Sequence, residues 1–155
     1  MKWFIGVDPG QKGAIALIND SAQAIDYVPM PGTVKGIVET VRGFQRTATG
    51  AEASLSLVTE LAQVMPKQGA VSGFTYGRGF GAIEVVAMCL GIPYHEVRPA
   101  IWKKAMKVKA DKETSIQECE RLFPTVNLTM PRCRIKHDGV AEALLIAEWG
   151  RRQGL

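Results

Sequence analysis

The sequence predicts an α/β fold in which helices flank a central five-stranded mixed sheet. Two patterns support this prediction. Three apolar, β-branched stretches follow one another closely at residues 2–8, 13–19 and 22–29, separated by the turn signals Pro9-Gly10 and Asn19-Asp20. Connections this short require antiparallel pairing, so these strands form a meander. Two later strands alternate with stretches of helical period, an order that favours parallel pairing.

The first helix and the two later strands have clear local signals. Residues 33–50 place apolar side chains on one helical face, and Thr33 is suited to cap this helix. Residues 54–60, SLSLVTE, alternate apolar and polar side chains and end in Glu60. Residues 91–97, GIPYHEV, predict a short fifth strand.

The other predicted elements are helices separated by irregular segments. Six of the seventeen residues in 65–81 are glycine or proline, which predicts a loop that leads into a helix at about residues 77–90. Pro99 opens a further helix, and another begins near Asp111 and ends at Pro124. Residues 124–136 are predicted to be irregular. A last helix, DGVAEALLIAEWGRRQG, ends at Gly154.

The composition fits a single domain that spans residues 1–155, with 46% hydrophobic and 22% charged residues. The net charge of +4 favours an anionic partner such as nucleic acid. The three cysteines form no CxxC pair, so we expect neither disulfides nor zinc, and a reducing, cytoplasmic location. No stretch is typical of a signal peptide or a membrane span, and we expect no membrane partner.

Asp8 ends the first strand, and two interpretations of it compete. Asp8-Pro9-Gly10 is a common turn sequence, because each residue type suits its turn position. Alternatively, Asp8 is a metal ligand or a catalytic acid at the end of a buried strand. The second interpretation requires that other acids converge on the same place, and Glu60 ends another predicted strand.

Asp138 and Glu142 are four residues apart, so they lie on one face of the last helix. Asp138 could instead cap this helix, with Glu142 an ordinary solvated side chain. Together with Asp8 and Glu60 they form a set of carboxylates that suits Mg²⁺ or Mn²⁺. Two such ions per site can cleave a phosphodiester without a histidine or serine nucleophile.

Five separated segments resemble, in order, segments of RuvC-type Holliday junction resolvases, especially their phage-like branch. They are IGVDPGQKGAIALI, VTELAQVMPKQGAVSGFTYGRGFG, VRPAIWKKAM, DKETSIQECERLFP and KHDGVAEALLIAEWG, and they cover most of the chain. The resemblance implies a ribonuclease H-like fold, a homodimer, and Mg²⁺-dependent paired nicking of four-way DNA junctions during recombination and repair.

By position, Asp8 matches the first-strand acid of that family, Glu60 the fourth-strand acid, and Asp138 and Glu142 the acids of the last helix. The bacterial members commonly space the last two positions three apart, and some carry His at the first of them. Here the spacing is four and His137 precedes Asp138. Whether Asp138 or His137 accompanies Glu142 therefore stays open.

Two segments are candidates for DNA contact. Residues 98–112 carry six basic residues and one acid, which indicates either a solvated helix face or a phosphate-binding surface. The glycine-rich loop offers aromatic rings that either stack on unpaired bases or pack under the next helix. The candidate DNA-binding residues are Lys67, Phe74, Tyr76, Arg78, Lys103, Lys104, Lys107, Lys109 and Lys112.

Three other functions are compatible with parts of this pattern. The first phosphate loop of actin-like and sugar kinases resembles GVDPGQKGAIAL, but those proteins need two such domains, so we expect no nucleotide cofactor. A catalytically silent junction-binding module would not need all of the acids. A nuclease acting on RNA/DNA hybrids or other branched DNA would keep the same fold and metal site.

Overall fold

The computed structural model describes residues 1–48, 53–61 and 69–155. These residues form a five-stranded sheet with the spatial order β3-β2-β1-β4-β5, flanked by helices. Along the chain the elements are β1 (Lys2–Asp8), β2 (Ala14–Asn19), β3 (Ala24–Pro29), α1 (Val34–Thr47), β4 (Ser54–Glu60), α2 (Ala70–Cys89), β5 (Tyr94–Val97), α3 (Pro99–Ala105), α4 (Lys112–Leu122) and α5 (Asp138–Gln153).

The sheet is mixed, as the sequence predicts. β2 pairs antiparallel with both β1 and β3, whereas β4 pairs parallel with both β1 and β5. Strands β1 and β4 begin and end where the sequence pattern predicts, while β3 and β5 start two and three residues later than expected. Because β1 and β4 run parallel, with Val7 opposite Thr59, their carboxyl ends lie side by side.

Alternate side chains of the strands point to opposite faces of the sheet and belong to two separate hydrophobic cores. On one face Phe4, Ala16 and Ile18 pack with α5 and with parts of α3 and α4. On the other face β1, β2 and β4 pack against α1 and α2. Helix α1 starts at the predicted cap, since Thr33 Oγ1 accepts a hydrogen bond from Gly36 N at 3.1 Å.

Helix α5 lies directly on β1, and Gly6 makes this approach possible. A Cβ atom at Gly6 would collide with the backbone of Ala143 and Ala147 in α5. Gly139, near the start of the same helix, likewise lies against the backbone of Lys12 and Gly13 in the turn between β1 and β2. These two contacts bring the first turn of α5 to the end of β1, where Asp8 lies.

The predicted loop in the glycine-rich segment is wrong from residue 70 onward, because α2 begins at Ala70 and not near Gly77. Each helical glycine costs about 1 kcal/mol relative to alanine. Helix formation is cooperative, however, and Ile83, Val86 and Ala87 anchor the second half of α2 in the core. Phe74 and Tyr76 are therefore held on a helix.

The segment before α5 is irregular, as predicted, apart from a single bridge between Thr129 and Lys136. The last helix ends at Gly154, which adopts a left-handed conformation with φ of 75°. Within the described ranges, no helix is long and apolar enough to cross a membrane.

Candidate active site

Asp8 and Glu60 lie together at one end of the sheet, at the carboxyl ends of the neighbouring strands β1 and β4. Asp8 Oδ1 accepts a hydrogen bond from Gly10 N at 3.2 Å, and Gly13 N donates to Gly10 O at 2.8 Å. Asp8 therefore takes part in the turn that its sequence context predicts. The same geometry also holds its carboxylate at the end of the strand, beside Glu60.

The acids of α5 reach the same place. Burial raises the pKa of Asp8 to about 7, although the hydrogen bond from Gly10 acts against this. The negative charges of Glu142, Glu60 and Asp138, in that order of size, also contribute to this raised value. Three elements that are far apart in the sequence thus place four carboxylates near one another. This convergence is what the metal-ligand interpretation of Asp8 requires.

Asp138 and Glu142, the two acids near the start of α5, are each paired with a lysine. Glu142 Oε1 lies 2.8 Å from Lys103 Nζ and also accepts a hydrogen bond from Ser115 Oγ at 3.0 Å. Asp138 Oδ2 lies 2.5 Å from Lys112 Nζ, and this hydrogen bond, with the charge of Asp138, raises the pKa of Lys112. Both ammonium groups offset negative charge that would otherwise be repulsive.

Glu60 has a different partner. Its Oε2 atom accepts a hydrogen bond of 2.6 Å from the indole Nε1 of Trp102. Burial raises the pKa of Glu60, and the Trp102 hydrogen bond partly offsets this. This contact could not be foreseen from the sequence, because an indole among apolar neighbours at helical spacing indicates only a core position.

The structure also bears on the choice between Asp138 and His137. The cap of α5 is His137, whose Nδ1 accepts a hydrogen bond from Val140 N at 3.1 Å. The alternative in which Asp138 caps the helix is therefore wrong. Asp138 instead occupies the first helical position, pairs with Lys112 and acts electrostatically on Asp8.

The donor set fits a hard divalent cation, because carboxylate oxygens are the ligands that Mg²⁺ and Mn²⁺ prefer. A cation would also relieve the repulsion that raises the pKa of Asp8. Among the described residues, no three Asp, Glu, His or Cys side chains already stand in a geometry that could hold one ion.

The aromatic residues predicted to contact DNA lie on the first half of α2. The side chain of Phe74 is exposed, at 73%. Tyr76 is half-buried, and burial, with smaller contributions from the charges of Glu60 and Asp8, raises its pKa to about 12. Tyr76 therefore lies close enough to Glu60 and Asp8 for their negative charges to raise its pKa. Arg78 is exposed on the same helix, whereas Lys67 lies outside the described residues.

The basic side chains divide into two groups. Lys103 is largely buried against Glu142, and Lys112 is paired with Asp138 while its side chain remains 69% exposed. A second group is exposed, with Lys104 on α3 and Lys107 and Lys109 between α3 and α4.

Two further exposed basic residues, Arg132 and Arg134, lie just before α5 and were not among the predicted DNA contacts. The available signal was the density of basic residues in PRCRIK, with no acid among them. They add to the positive charge that a nucleic-acid partner would meet near the start of α5.

We expect the metal-free protein to lose stability as the pH rises from about 4 to about 7. The pKa of Asp8 is about 7 in the folded protein against an ordinary value of 3.8, so the folded state binds this proton more tightly than the unfolded state. The free energy of unfolding therefore falls with pH in this window. Asp8→Asn removes the effect and is expected to stabilise the metal-free protein at pH 8 by up to about 4 kcal/mol.

Urea unfolding in EDTA at pH 5 and pH 8 measures this difference. The advantage of Asp8→Asn over the wild-type protein should be larger at pH 8 than at pH 5. If the free energy of unfolding depended on pH identically in the two proteins, the raised pKa of Asp8 and its assigned causes, burial and charge repulsion, would be contradicted.

A mixed sheet of this order, with acids at the ends of β1 and β4 and at the start of a helix packed on β1, defines a ribonuclease H-like fold. Solved structures of RuvC have this form of the fold. The chain is similar to Thermus thermophilus RuvC in complex with a Holliday junction substrate, with a TM-score of 0.65 and 19% identity over 99% of this chain and 97% of that one.

The chain is also similar to a second structure of Thermus thermophilus RuvC, with a TM-score of 0.63 and 18% identity over 98% of this chain and 96% of that one. No protein-family model and no curated protein matches the sequence. The similarity confirms the predicted ribonuclease H-like fold, in the form seen in RuvC, over nearly the whole chain.

Proposed function

We propose that this protein is a structure-selective DNA endonuclease that resolves four-way junctions by paired, metal-dependent hydrolysis of phosphodiesters. The observation that carries the proposal is the convergence of Asp8, Glu60, Asp138 and Glu142 at one end of a RuvC-like sheet. One of the similar structures is bound to a Holliday junction substrate. The net charge of +4 and the exposed basic side chains suit such an anionic partner.

In this proposal the four carboxylates hold one or two Mg²⁺ ions, and Mn²⁺ can replace them. When bound, the ions activate a water molecule and stabilise the leaving oxygen of the phosphodiester. Asp8 has the central position, because each of the other three acids acts on it. Its hydrogen bond from Gly10 restrains the carboxylate before any ion binds.

The two lysines paired with the acids have a role in the same step. Lys103 and Lys112 neutralise Glu142 and Asp138 while the site is free of cations. With cations bound to the acids, Lys103 and Lys112 would no longer be needed for that neutralisation and could contact phosphate oxygens. Lys112 is better suited than Lys103 to contact the scissile phosphate, because its side chain is far more exposed, at 69% against 21%.

We also propose that the protein acts as a homodimer, since paired nicking requires two sites related by symmetry. The face of α2 that carries Gly77, Gly81, Val85 and Met88 is the candidate interface. A Cβ atom on either glycine would meet no atom within 4 Å, and Val85 and Met88 are 57% and 69% exposed. Small and apolar side chains of this kind allow two helices to approach closely.

Phe74 is expected to act on the junction centre, where bases are unpaired. We expect Phe74→Ala to reduce junction cleavage by about 5- to 100-fold, the range that corresponds to removing the stacking of one base on an aromatic ring. Junction affinity should fall less, because phosphate contacts dominate it. Val71→Ala is the matched control, since Val71 is 81% exposed on the same helix. Equal reductions of cleavage and binding in Phe74→Ala would refute this role.

The function itself is tested by incubating the protein with a labelled synthetic four-way junction, a plain duplex and an RNA/DNA hybrid, each with Mg²⁺, Mn²⁺ or EDTA. The products are mapped to the nucleotide, and light scattering gives the oligomeric state. Symmetric, metal-dependent nicks confined to the junction are the expected result. Cleavage of the hybrid or of other branched DNA would reassign the substrate, and tight junction binding without cleavage would indicate a binding module.

A further inference from the structure

Trp102 makes a contact with the acidic site that hydrophobic packing alone does not explain. Its side chain is fully buried on α3, among residues of the core that also contains α5. Its single polar atom, Nε1, donates a 2.6 Å hydrogen bond to Glu60 Oε2. A phenylalanine or leucine could fill an apolar core without requiring an acceptor, whereas a buried indole N–H needs one.

The hydrogen bond constrains Glu60 in a particular way. An indole only donates, so it favours the ionised, accepting form of the carboxylate. It engages Oε2, and no described residue donates a hydrogen bond to Oε1. The contact therefore restrains one oxygen of a side chain with three rotatable bonds and does not itself occupy the other oxygen.

Lys103, the residue after Trp102 on α3, likewise contacts an acid of the site, Glu142. Lys103 Nζ lies 5.0 Å from the centroid of the Trp102 ring and 2.8 Å from Glu142 Oε1. One turn of α3 thus contacts a carboxylate from β4 and a carboxylate from α5. Side chains that orient metal ligands in this way commonly determine how well a site is organised before the ion binds.

We propose that Trp102 is a positioning residue whose indole N–H holds Glu60 in the orientation in which it can serve as a metal ligand. The inference rests on the proposed function, because it assumes that Glu60 binds the cation. It does not depend on which nucleic acid is cleaved.

The test compares Trp102→Phe, which keeps an aromatic ring and removes the donor, with Trp149→Phe. Trp149 packs against the same core, and its indole makes no hydrogen bond with a described residue. Mn²⁺ affinity is measured by calorimetry without DNA. We expect Trp102→Phe to bind Mn²⁺ about 10- to 100-fold more weakly than the wild-type protein, as is typical when a hydrogen-bond partner of a metal ligand is removed. Trp149→Phe should bind normally.

A second readout separates positioning from a general loss of structure. If Trp102 acts through Glu60, cleavage by Trp102→Phe should approach the wild-type rate as Mn²⁺ is raised, because the defect lies in metal affinity. Unchanged Mn²⁺ affinity in a folded Trp102→Phe protein overturns the proposal. A wild-type protein that binds Mn²⁺ but leaves junctions uncut would refute the proposed function and leave this inference standing.

If Trp102→Phe does not fold, the hydrogen bond is followed in the wild-type background by ¹⁵N NMR. Trp3→Phe and Trp149→Phe assign the Trp102 indole signal by elimination. In Glu60→Gln this signal should move upfield, because a neutral amide oxygen is a weaker acceptor than a carboxylate. Addition of Mn²⁺ to the wild-type protein should broaden it selectively. An indole signal that responds to neither change overturns the proposal.

Discussion

The Asp8→Asn variant is expected to bind four-way junctions as well as the wild-type protein, or more tightly, and to cleave them at least about 100-fold more slowly. Removal of an outer partner of a metal ligand already costs about 10- to 100-fold, so removal of a central ligand should cost at least as much. Binding should persist because the amide still accepts the hydrogen bond from Gly10 N, and because one negative charge near the DNA phosphates is removed.

The measurement pairs junction affinity in EDTA with single-turnover cleavage in Mg²⁺. Asp26→Asn is the matched control, since Asp26 is an exposed aspartate on the edge strand β3. Cleavage by Asp8→Asn at the wild-type rate would refute the central role of Asp8. Loss of binding together with cleavage would point to a structural role for the turn at residues 8–10.

Junction affinity is expected to fall steeply with salt, by about 10³- to 10⁵-fold between 50 and 200 mM if six to ten phosphates are neutralised. The exposed basic side chains that could neutralise them include Lys104, Lys107, Lys109, Lys112, Arg78, Arg132 and Arg134. Replacing any one of Lys104, Lys107 or Lys109 with Ala should reduce the slope of log affinity against log salt by about one for each phosphate that is no longer neutralised.

Lys35→Ala provides the control, because Lys35 is an exposed lysine that pairs with Glu39 on α1. The slope should be unchanged in this variant. A salt slope that none of the Lys104, Lys107 and Lys109 replacements alters would show that the segment between α3 and α4 is a solvated basic surface and not a phosphate-binding one.

Much of this fold could be predicted because its local signals agree with its tertiary structure. The strands that form β1 and β4, the Thr33 cap, the start of α4 beside Asp111 and the end of α5 at Gly154 all follow from residue type and spacing. Helix α2 could not be predicted in full, because its glycines argue against a helix. The packing of Ile83, Val86 and Ala87 in the core helps to stabilise this helix, and a sequence pattern does not show that packing.

In the candidate site, too, some features could be predicted from the sequence and others depend on the tertiary structure. Asp8 and Glu60 were recognisable as acids at the ends of strands, and parallel pairing of β1 and β4 then places them side by side. The hydrogen bonds that Trp102 donates to Glu60, and that Lys103 and Ser115 donate to Glu142, join residues that are 27 to 42 positions apart. No periodic pattern in the sequence predicts contacts between residues that are so far apart along the chain.

By itself, the sequence determined the order and type of most elements, the positions of the acids and the basic character of the segment after Arg98, because these depend on local backbone preferences and side-chain chemistry. Only the tertiary structure decided that α5 approaches β1 through Gly6, that His137 and not Asp138 caps it, and that Trp102 binds Glu60. The physical reason is that close packing and hydrogen-bond geometry depend on residues brought together in space, which a linear pattern does not specify.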